Sequence, residues 1–145
     1  MATLDELRES WAKNCAIDVN DMTTAAAKSP NLHAMYLDEL IQYKLKLIKI
    51  QTDMIQYRAK RVRYYRGEMT REELIAEEWP QWQYKTLKSE VDGLIDAEPD
   101  YIKLVTREVY TKTVIFFLDS VMSEIKSRSF HCRNLIDWAK HRAGN

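Results

Sequence analysis

Residues 57–66 combine the two kinds of side chain that bind single-stranded nucleic acid. These ten residues contain five cations, three tyrosines and no acid. Cations neutralise the phosphates of a strand, and aromatic rings stack on its bases. In a helix, spacings of three or four residues place several of these side chains on shared faces. We therefore predict a nucleic-acid-binding site formed by Arg58, Lys60, Arg61, Arg63, Tyr64, Tyr65 and Arg66.

A second interpretation is that the same cations form ion pairs with acidic side chains of this chain or of a neighbouring copy. The net charge is zero, but it is strongly segregated along the sequence. Residues 44–66 carry eight basic and one acidic side chain, whereas residues 67–100 carry three basic and ten acidic ones. Blocks of +7 and −7 favour partners of both signs or docking between subunits. Both interpretations hold if acids compete with nucleic acid for the cations, and the acids we consider first are Glu72, Glu73, Glu77 and Glu78.

Catalytic chemistry has little support in the sequence. The three glycines, Gly67, Gly93 and Gly144, lie too far apart for a phosphate-binding loop or a dinucleotide fingerprint. The three histidines lie in separate segments, and the two cysteines have no partner at metal-site spacing. We expect no enzyme activity, no cofactor and no metal site.

The element that must position the basic segment is one long helix over residues 30–67, with Pro30 in its first turn and Gly67 just past its end. A heptad seam runs along it through Tyr36, Leu40, Tyr43, Leu47, Ile50, Met54 and Tyr57. A second apolar stripe lies beside the seam, formed by Ile41, Leu45, Ile48, Ile55 and Val62. Two stripes and a length of roughly 55 Å indicate that this helix packs on more than one side. We therefore predict an oligomer.

The remaining segments complete an all-α prediction for a single domain over residues 1–145. We expect N-terminal helices in residues 1–28 and an acidic, aromatic connection in residues 68–98, in which residues 85–96 read as a short strand or an irregular loop. A second long helix begins at Pro99 and is expected to end near residues 126–128, before a final short helix. The predicted architecture is a helical hairpin of two long antiparallel helices with short N- and C-terminal helices, which assembles into a ring-like helical oligomer.

Two further features concern aromatic residues and location. Trp82 and Tyr84 lie in a helix-poor stretch, where they either anchor a connection or stack on bases. The N-terminus lacks the pattern of a signal peptide, and no apolar run is long enough to span a bilayer. We expect a cytoplasmic protein that makes no membrane contact.

Two motifs carry a resemblance to a known family. Basic residues precede Tyr64-Tyr65-x-Gly67, and the motif Ile125-Lys126-Ser127-Arg128-x-Phe130 leads to a chain end at Ala143-Gly144. In this order and separation they resemble the UvsY family, the recombination mediators of large tailed bacteriophages. The likeness extends from the main helix to the terminus, with sparse identities elsewhere.

The resemblance implies a function and a set of partners. Members of this family bind single-stranded DNA, contact a RecA-like recombinase and a single-strand-binding protein, and assemble as rings of six or seven subunits. They help to load the recombinase onto strands coated by the binding protein, in the host cytoplasm if the chain is phage-encoded. The family motif has a lysine and an arginine separated by one residue. Arg61 matches the arginine, whereas Ala59 stands at the lysine position and Lys60 is its replacement.

The resemblance also implies that the C-terminal part of the chain drives assembly. In residues 99–145 the corresponding apolar side chains are Ile115, Leu118, Met122, Ile125, Phe130, Leu135 and Trp138. The alternative function is a helical scaffold or regulatory oligomer that acts through protein contacts without binding DNA. Such a protein would be insensitive to removal of the charges in residues 58–61.

Overall fold

The computed structural model describes residues 1–144, and this part of the chain contains six helices and no strand. They are α1 (Leu4–Asn14), α2 (Met22–Ala27), α3 (Ser29–Tyr65), α4 (Arg71–Glu77), α5 (Lys88–Asp96) and α6 (Pro99–Arg142). The all-α prediction is confirmed. None of the described helices combines the length and apolar character that crossing a membrane requires.

Local sequence signals account for the helix ends. Thr3 caps α1, and Glu6 closes a capping box by accepting a hydrogen bond from the Thr3 backbone N–H. Thr70 caps α4 by accepting from the Glu73 N–H. Gly67 follows α3 with φ of +70°, a backbone conformation that most other residues adopt only with strain. The start and end predicted for the long helix agree with α3 to within two residues.

The chain divides into two compact units. The first comprises Met1–Leu45 together with the chain from Thr111 onward, and the second is Lys46–Tyr110. Helices α3 and α6 contribute to both units. In the first unit the N-terminal part of α3 packs against residues of α6 beyond Thr111, and in the second its C-terminal part packs against the start of α6. This order gives the antiparallel pairing that the sequence predicts.

The core of the first unit forms where α3 and α6 bury their apolar stripes. Tyr36 is only 1% exposed, and Val114 and Leu118 are fully buried. Leu7 of α1 joins this core, so the N-terminal helix closes one side of it. The Tyr43 hydroxyl donates a hydrogen bond to the Ala2 carbonyl, which fixes the chain terminus beside α3.

Arg128 is buried in the first unit without a carboxylate partner. Its guanidinium instead donates hydrogen bonds to backbone carbonyls at the end of α1 and in α2, those of Asn14, Cys15, Ala16 and Ala25, at 3.2–3.4 Å. The last carbonyls of a helix lack partners within the helix, and a cation there also complements the helix dipole. Arg128 therefore joins three helices of this unit.

Two expectations about helix boundaries are wrong. Residues 88–96 form α5 instead of a strand or loop, because Val91 and Ile95 lie one turn apart and are both buried. The predicted end near residues 126–128, and with it the separate final helix, is also incorrect, since α6 continues to Arg142. The basic residues there do not stop the helix, and Arg128 and Cys132 extend its buried stripe beyond this point.

Candidate nucleic-acid interface

The basic segment forms the last turns of α3, and all of it lies in the second unit. Each of its five cations contacts a carboxylate of the same unit. The pairs are Arg58 with Asp92 and Asp96, Lys60 with Glu77, Arg61 with Glu98, Arg63 with Glu73, and Arg66 with Glu68. The structure therefore brings all the predicted cations together, but each is already in an ion pair.

Arg58 bridges α3 and α5. Its two terminal nitrogens lie 2.8 Å from Asp92 Oδ1 and 2.5 Å from Asp96 Oδ1. The guanidinium carbon is 5.1 Å from the centre of the Tyr101 ring, within cation–π range. Hydrogen bonding to Tyr101 and then to Asp96 raises the pKa of Arg58 against the opposing effect of burial. About a third of the side chain remains exposed.

Lys60 and Arg63 connect the same helix to α4. Lys60 Nζ lies 2.6 Å from Glu77 Oε1, and Arg63 lies 2.8 Å from Glu73 Oε2. The hydrogen bond from Arg63 lowers the pKa of Glu73, and the same contact raises the pKa of Arg63. Both basic side chains remain about half exposed. Exposed pairs of this kind contribute little net stability, so another anion can replace the carboxylate.

Arg61 has a different role, because it is enclosed by aromatic rings. Its side chain is 15% exposed, and Arg61 Nε lies 3.0 Å from Glu98 Oε2. The guanidinium carbon is 3.9 Å from the centre of the Trp79 ring and 5.0 Å from that of Tyr64. Burial lowers the pKa of Arg61, but the hydrogen bond to Tyr57 and the charge of Glu98 outweigh it and raise the value overall.

Glu98 is the acceptor at the centre of this network. The hydroxyls of Tyr57 and Tyr65 each donate to one of its carboxylate oxygens, and Arg61 provides the opposing charge. Burial, followed by the hydrogen bond to Glu98, raises the pKa of the Tyr65 phenol above its ordinary value near 10. A buried carboxylate needs such partners to remain charged. Sequence reasoning missed Glu98, whose only signal was its place in the acidic block.

The two adjacent tyrosines of the motif are core residues. Tyr64 and Tyr65 are 5% and 8% exposed, and they pack with Val91 and Ile95. The Tyr64 hydroxyl donates to the Pro80 carbonyl at 2.5 Å. In this conformation neither ring presents a face on which a base can stack.

Of the two aromatic residues in the connection, one is an anchor and one is exposed. Trp82 packs edge-on against Tyr65, with ring centroids 4.8 Å apart, and its Nε1 donates to Thr86. Tyr84 is 73% exposed. The anchoring interpretation therefore describes Trp82, and base stacking remains a prediction for Tyr84.

The side chains predicted for assembly divide into two groups. Leu118, Met122 and Ile125 are buried in the core of the first unit, and Ile115 packs against that core. Phe130 and Trp138 are 60% and 59% exposed. Leu135 lines a cavity of about 500 Å³ together with Trp138. Of the predicted assembly residues, Phe130 and Trp138 are the two that present large apolar surface to solvent.

The second apolar stripe of α3 also lacks cover in the described chain. Ile41, Leu45, Ile48 and Ile55 are all exposed, with Ile55 at 70%. The heptad seam beside it is buried at Tyr36, Leu40, Tyr43 and Ile50. One stripe therefore builds the chain's own fold, and the other is available for contacts outside it.

These features define an all-helical protein whose candidate strand-binding cations lie at the end of one long helix. The family model described as "Recombination, repair and ssDNA binding protein UvsY" matches residues 10–145. The chain therefore belongs to the UvsY family, as its two motifs indicated.

Individual relatives agree with this assignment. The recombination protein uvsY of Enterobacteria phage T4 is 24% identical over 141 residues, covering 97% of this chain and 98% of the relative. A crystal structure of the bacteriophage T4 recombination mediator protein UvsY, in lattice type II, superposes with a TM-score of 0.83 at 23% identity and covers 99% of both chains. The lattice type IV crystal form gives a TM-score of 0.81 at 22% identity, covering 97% of this chain and 99% of that one. The similarity to the crystal structures supports the fold.

Proposed function

We propose that this protein is a recombination mediator that binds single-stranded DNA through the exposed cations of the basic segment. The observation that carries the proposal is the exposure of four of these five cations within their ion pairs. The side chains of Arg58, Lys60, Arg63 and Arg66 are between 32% and 52% exposed. A phosphate can approach them without disruption of the core beneath.

Binding in this proposal is an exchange of anions. Each phosphate replaces a carboxylate at a cation that is already positioned on α3, so the protein need not reorganise to bind. Arg61 supports this surface from below by holding Glu98 and the aromatic rings together. Association then depends strongly on salt, because phosphate neutralisation releases counterions from the strand.

Assembly would multiply this weak individual contact. In the proposal the exposed Phe130, Trp138 and second stripe of α3 meet other copies, and the ring of six or seven subunits follows the family resemblance. Several basic segments acting on one strand raise the affinity far above that of a single segment. A strand held in this way is displaced from a single-strand-binding protein and passed to a RecA-like recombinase. We place these events in the host cytoplasm.

The competing function is a scaffold in which the ion pairs are purely structural. Its support is that every cation of the basic segment has a carboxylate partner within the unit. A scaffold binds DNA no better than a chain of zero net charge. Membership of the UvsY family favours the mediator.

The test is fluorescence anisotropy with a labelled single-stranded oligonucleotide over a salt series. The variant Lys60→Ala/Arg63→Ala removes two exposed cations of the segment, and Lys13→Ala/Arg133→Ala removes the same charges from exposed positions elsewhere. We expect tight binding with a slope of about −0.7 per phosphate contact in log affinity against log salt. The first variant should lose most of the affinity and the control should keep it. Equal affinity of the two variants would contradict the proposed site.

A further inference from the structure

A groove on the second unit lies beside the basic segment and has no role in the function described above. It has a volume of about 350 Å³ and is formed by α3 and α6. Its lining residues are Gln51, Met54, Ile55, Arg58, Tyr101 and Glu108. The volume is at the lower end of the range for small-molecule sites, which fits a ligand of one ring system.

The groove offers an aromatic ring held in a fixed orientation. Tyr101 packs on Tyr57 with ring centroids 6.2 Å apart and planes 19° apart, and Arg58 lies against the same ring. Rings fixed in this way lose little conformational freedom when a ligand stacks on them. Met54 and the exposed Ile55 supply apolar walls.

Polar groups in the lining suit the edge of a heterocycle. Gln51 carries an amide that both donates and accepts hydrogen bonds, and Glu108 carries a carboxylate acceptor. An apolar ring face combined with a few polar groups at the edge is the chemistry that recognises a flipped-out or unstacked base. A purely aliphatic side chain would leave those polar groups without use.

Arg58 connects the groove to the phosphate-binding surface. It lines the groove and also belongs to the basic segment, with about a third of its side chain exposed. A strand whose phosphate contacts Arg58 therefore brings the adjoining base to the groove. Tyr64 and Tyr65 are buried and cannot take this role in the structure described.

We propose that this groove binds one nucleobase of the single-stranded DNA whose phosphates contact the basic segment, with Tyr101 as the stacking surface. The proposal rests on the proposed function and adds a contact to the base itself. It predicts that a strand with bases binds more tightly than a strand of the same length and charge without them.

The experiment compares an oligo(dT) strand with an abasic strand of equal length. Ile55→Glu introduces a charge into the groove, and Ile75→Glu, which is 68% exposed on α4 outside it, is the matched control. We expect the wild type and Ile75→Glu to prefer oligo(dT) by at least roughly tenfold, since stacking contributes about 1–3 kcal/mol per base. Ile55→Glu should bind both strands alike. Tyr101→Phe should keep the preference, because the ring is retained.

Several results would overturn the proposal. If the wild type binds both strands equally, the groove holds no base and the phosphate-binding function stands. If it binds neither strand, the proposed function itself fails. A preference lost in Tyr84→Ala and retained in Ile55→Glu would place base stacking at the exposed Tyr84. A change in sedimentation of Ile55→Glu alone would identify the groove as a contact between subunits.

Discussion

Neighbouring cations in the basic segment have different work to do. Arg61 is enclosed by Trp79 and the tyrosines and neutralises a buried carboxylate, whereas Lys60 beside it forms an exposed pair. Removing one partner of a buried pair leaves the other charge without compensation, and removing one partner of an exposed pair changes little. Loss of DNA binding on substitution therefore has two distinct causes within one motif.

This difference predicts separate effects on stability. We expect Arg61→Ala to lower the free energy of unfolding by about 3 kcal/mol, because Glu98 then remains buried without its cation. Lys60→Ala should change it by less than about 1 kcal/mol. Chemical denaturation followed by circular dichroism measures both. Equal effects would show that the Arg61–Glu98 pair is not a structural contact.

Tyr65 predicts the behaviour of the fold at high pH. Burial and the hydrogen bond to Glu98 raise its pKa, so the folded state keeps the phenol proton after the unfolded chain has lost it. The stabilisation is complete below about pH 10 and decreases as the pH rises through the folded-state pKa. Melting temperatures between pH 8 and 11 should fall more steeply in the wild type than in Tyr65→Phe. Parallel curves would refute this assignment.

The helices show which parts of the structure are readable from local sequence. Capping by Thr3 and Thr70 and the end of α3 at Gly67 involve residues close together in the chain, and all three followed from the sequence. The continuation of α6 past residue 128 did not, because it depends on carbonyls of α1 and α2 far away in sequence. The burial of Tyr64 and Tyr65 was missed for the same reason.

Arg128 gives this conclusion a test. Arg128→Leu removes the hydrogen bonds to four backbone carbonyls, and we expect a loss of about 2–4 kcal/mol in the free energy of unfolding. Arg133→Leu replaces an exposed arginine of the same helix and should cost less than about 0.5 kcal/mol. Urea titration distinguishes the two. A small effect of Arg128→Leu would mean that water replaces the guanidinium without loss.

The ion pairs between α3 and α4 predict a gain of function. Glu77→Gln releases Lys60 from its carboxylate, whereas Glu72→Gln removes an equal charge from the same helix at an exposed position outside the listed ion pairs of this segment. We expect Glu77→Gln to bind single-stranded DNA roughly twofold to fivefold more tightly than Glu72→Gln, the range that an exposed pair allows. Anisotropy at low salt measures the ratio. Identical affinities would indicate that Lys60 does not exchange its carboxylate for phosphate.

Across the whole chain, the surfaces that remain apolar and exposed are the ones for which the proposed oligomer has a use. The side chains predicted for assembly included three core residues, because apolar spacing on a helix does not distinguish a core from an interface. Exposure separates them, and it selects Phe130 and Trp138. The groove at Tyr101 was missed because it joins residues from two distant helices.

Assembly can be tested with two phenylalanines of α6. Phe130→Ser should dissociate the oligomer in sedimentation velocity, and DNA affinity should fall by at least roughly a hundredfold as multivalency is lost. Phe116→Ser, at a position that is 74% exposed on the same helix, is the control and should leave the assembly intact. Dissociation by Phe116→Ser alone would move the proposed interface to that part of α6.

The pairing of each cation with a carboxylate has a thermodynamic consequence for any salt titration. When phosphates occupy the cations, the released Glu73, Glu77, Asp92 and Asp96 recruit small cations from solution. The strand sheds counterions while the protein takes some up, so the net ion release is smaller than the number of phosphates contacted. The slope measured for this protein will therefore undercount its contacts with DNA, and a variant without these acids will show a steeper one.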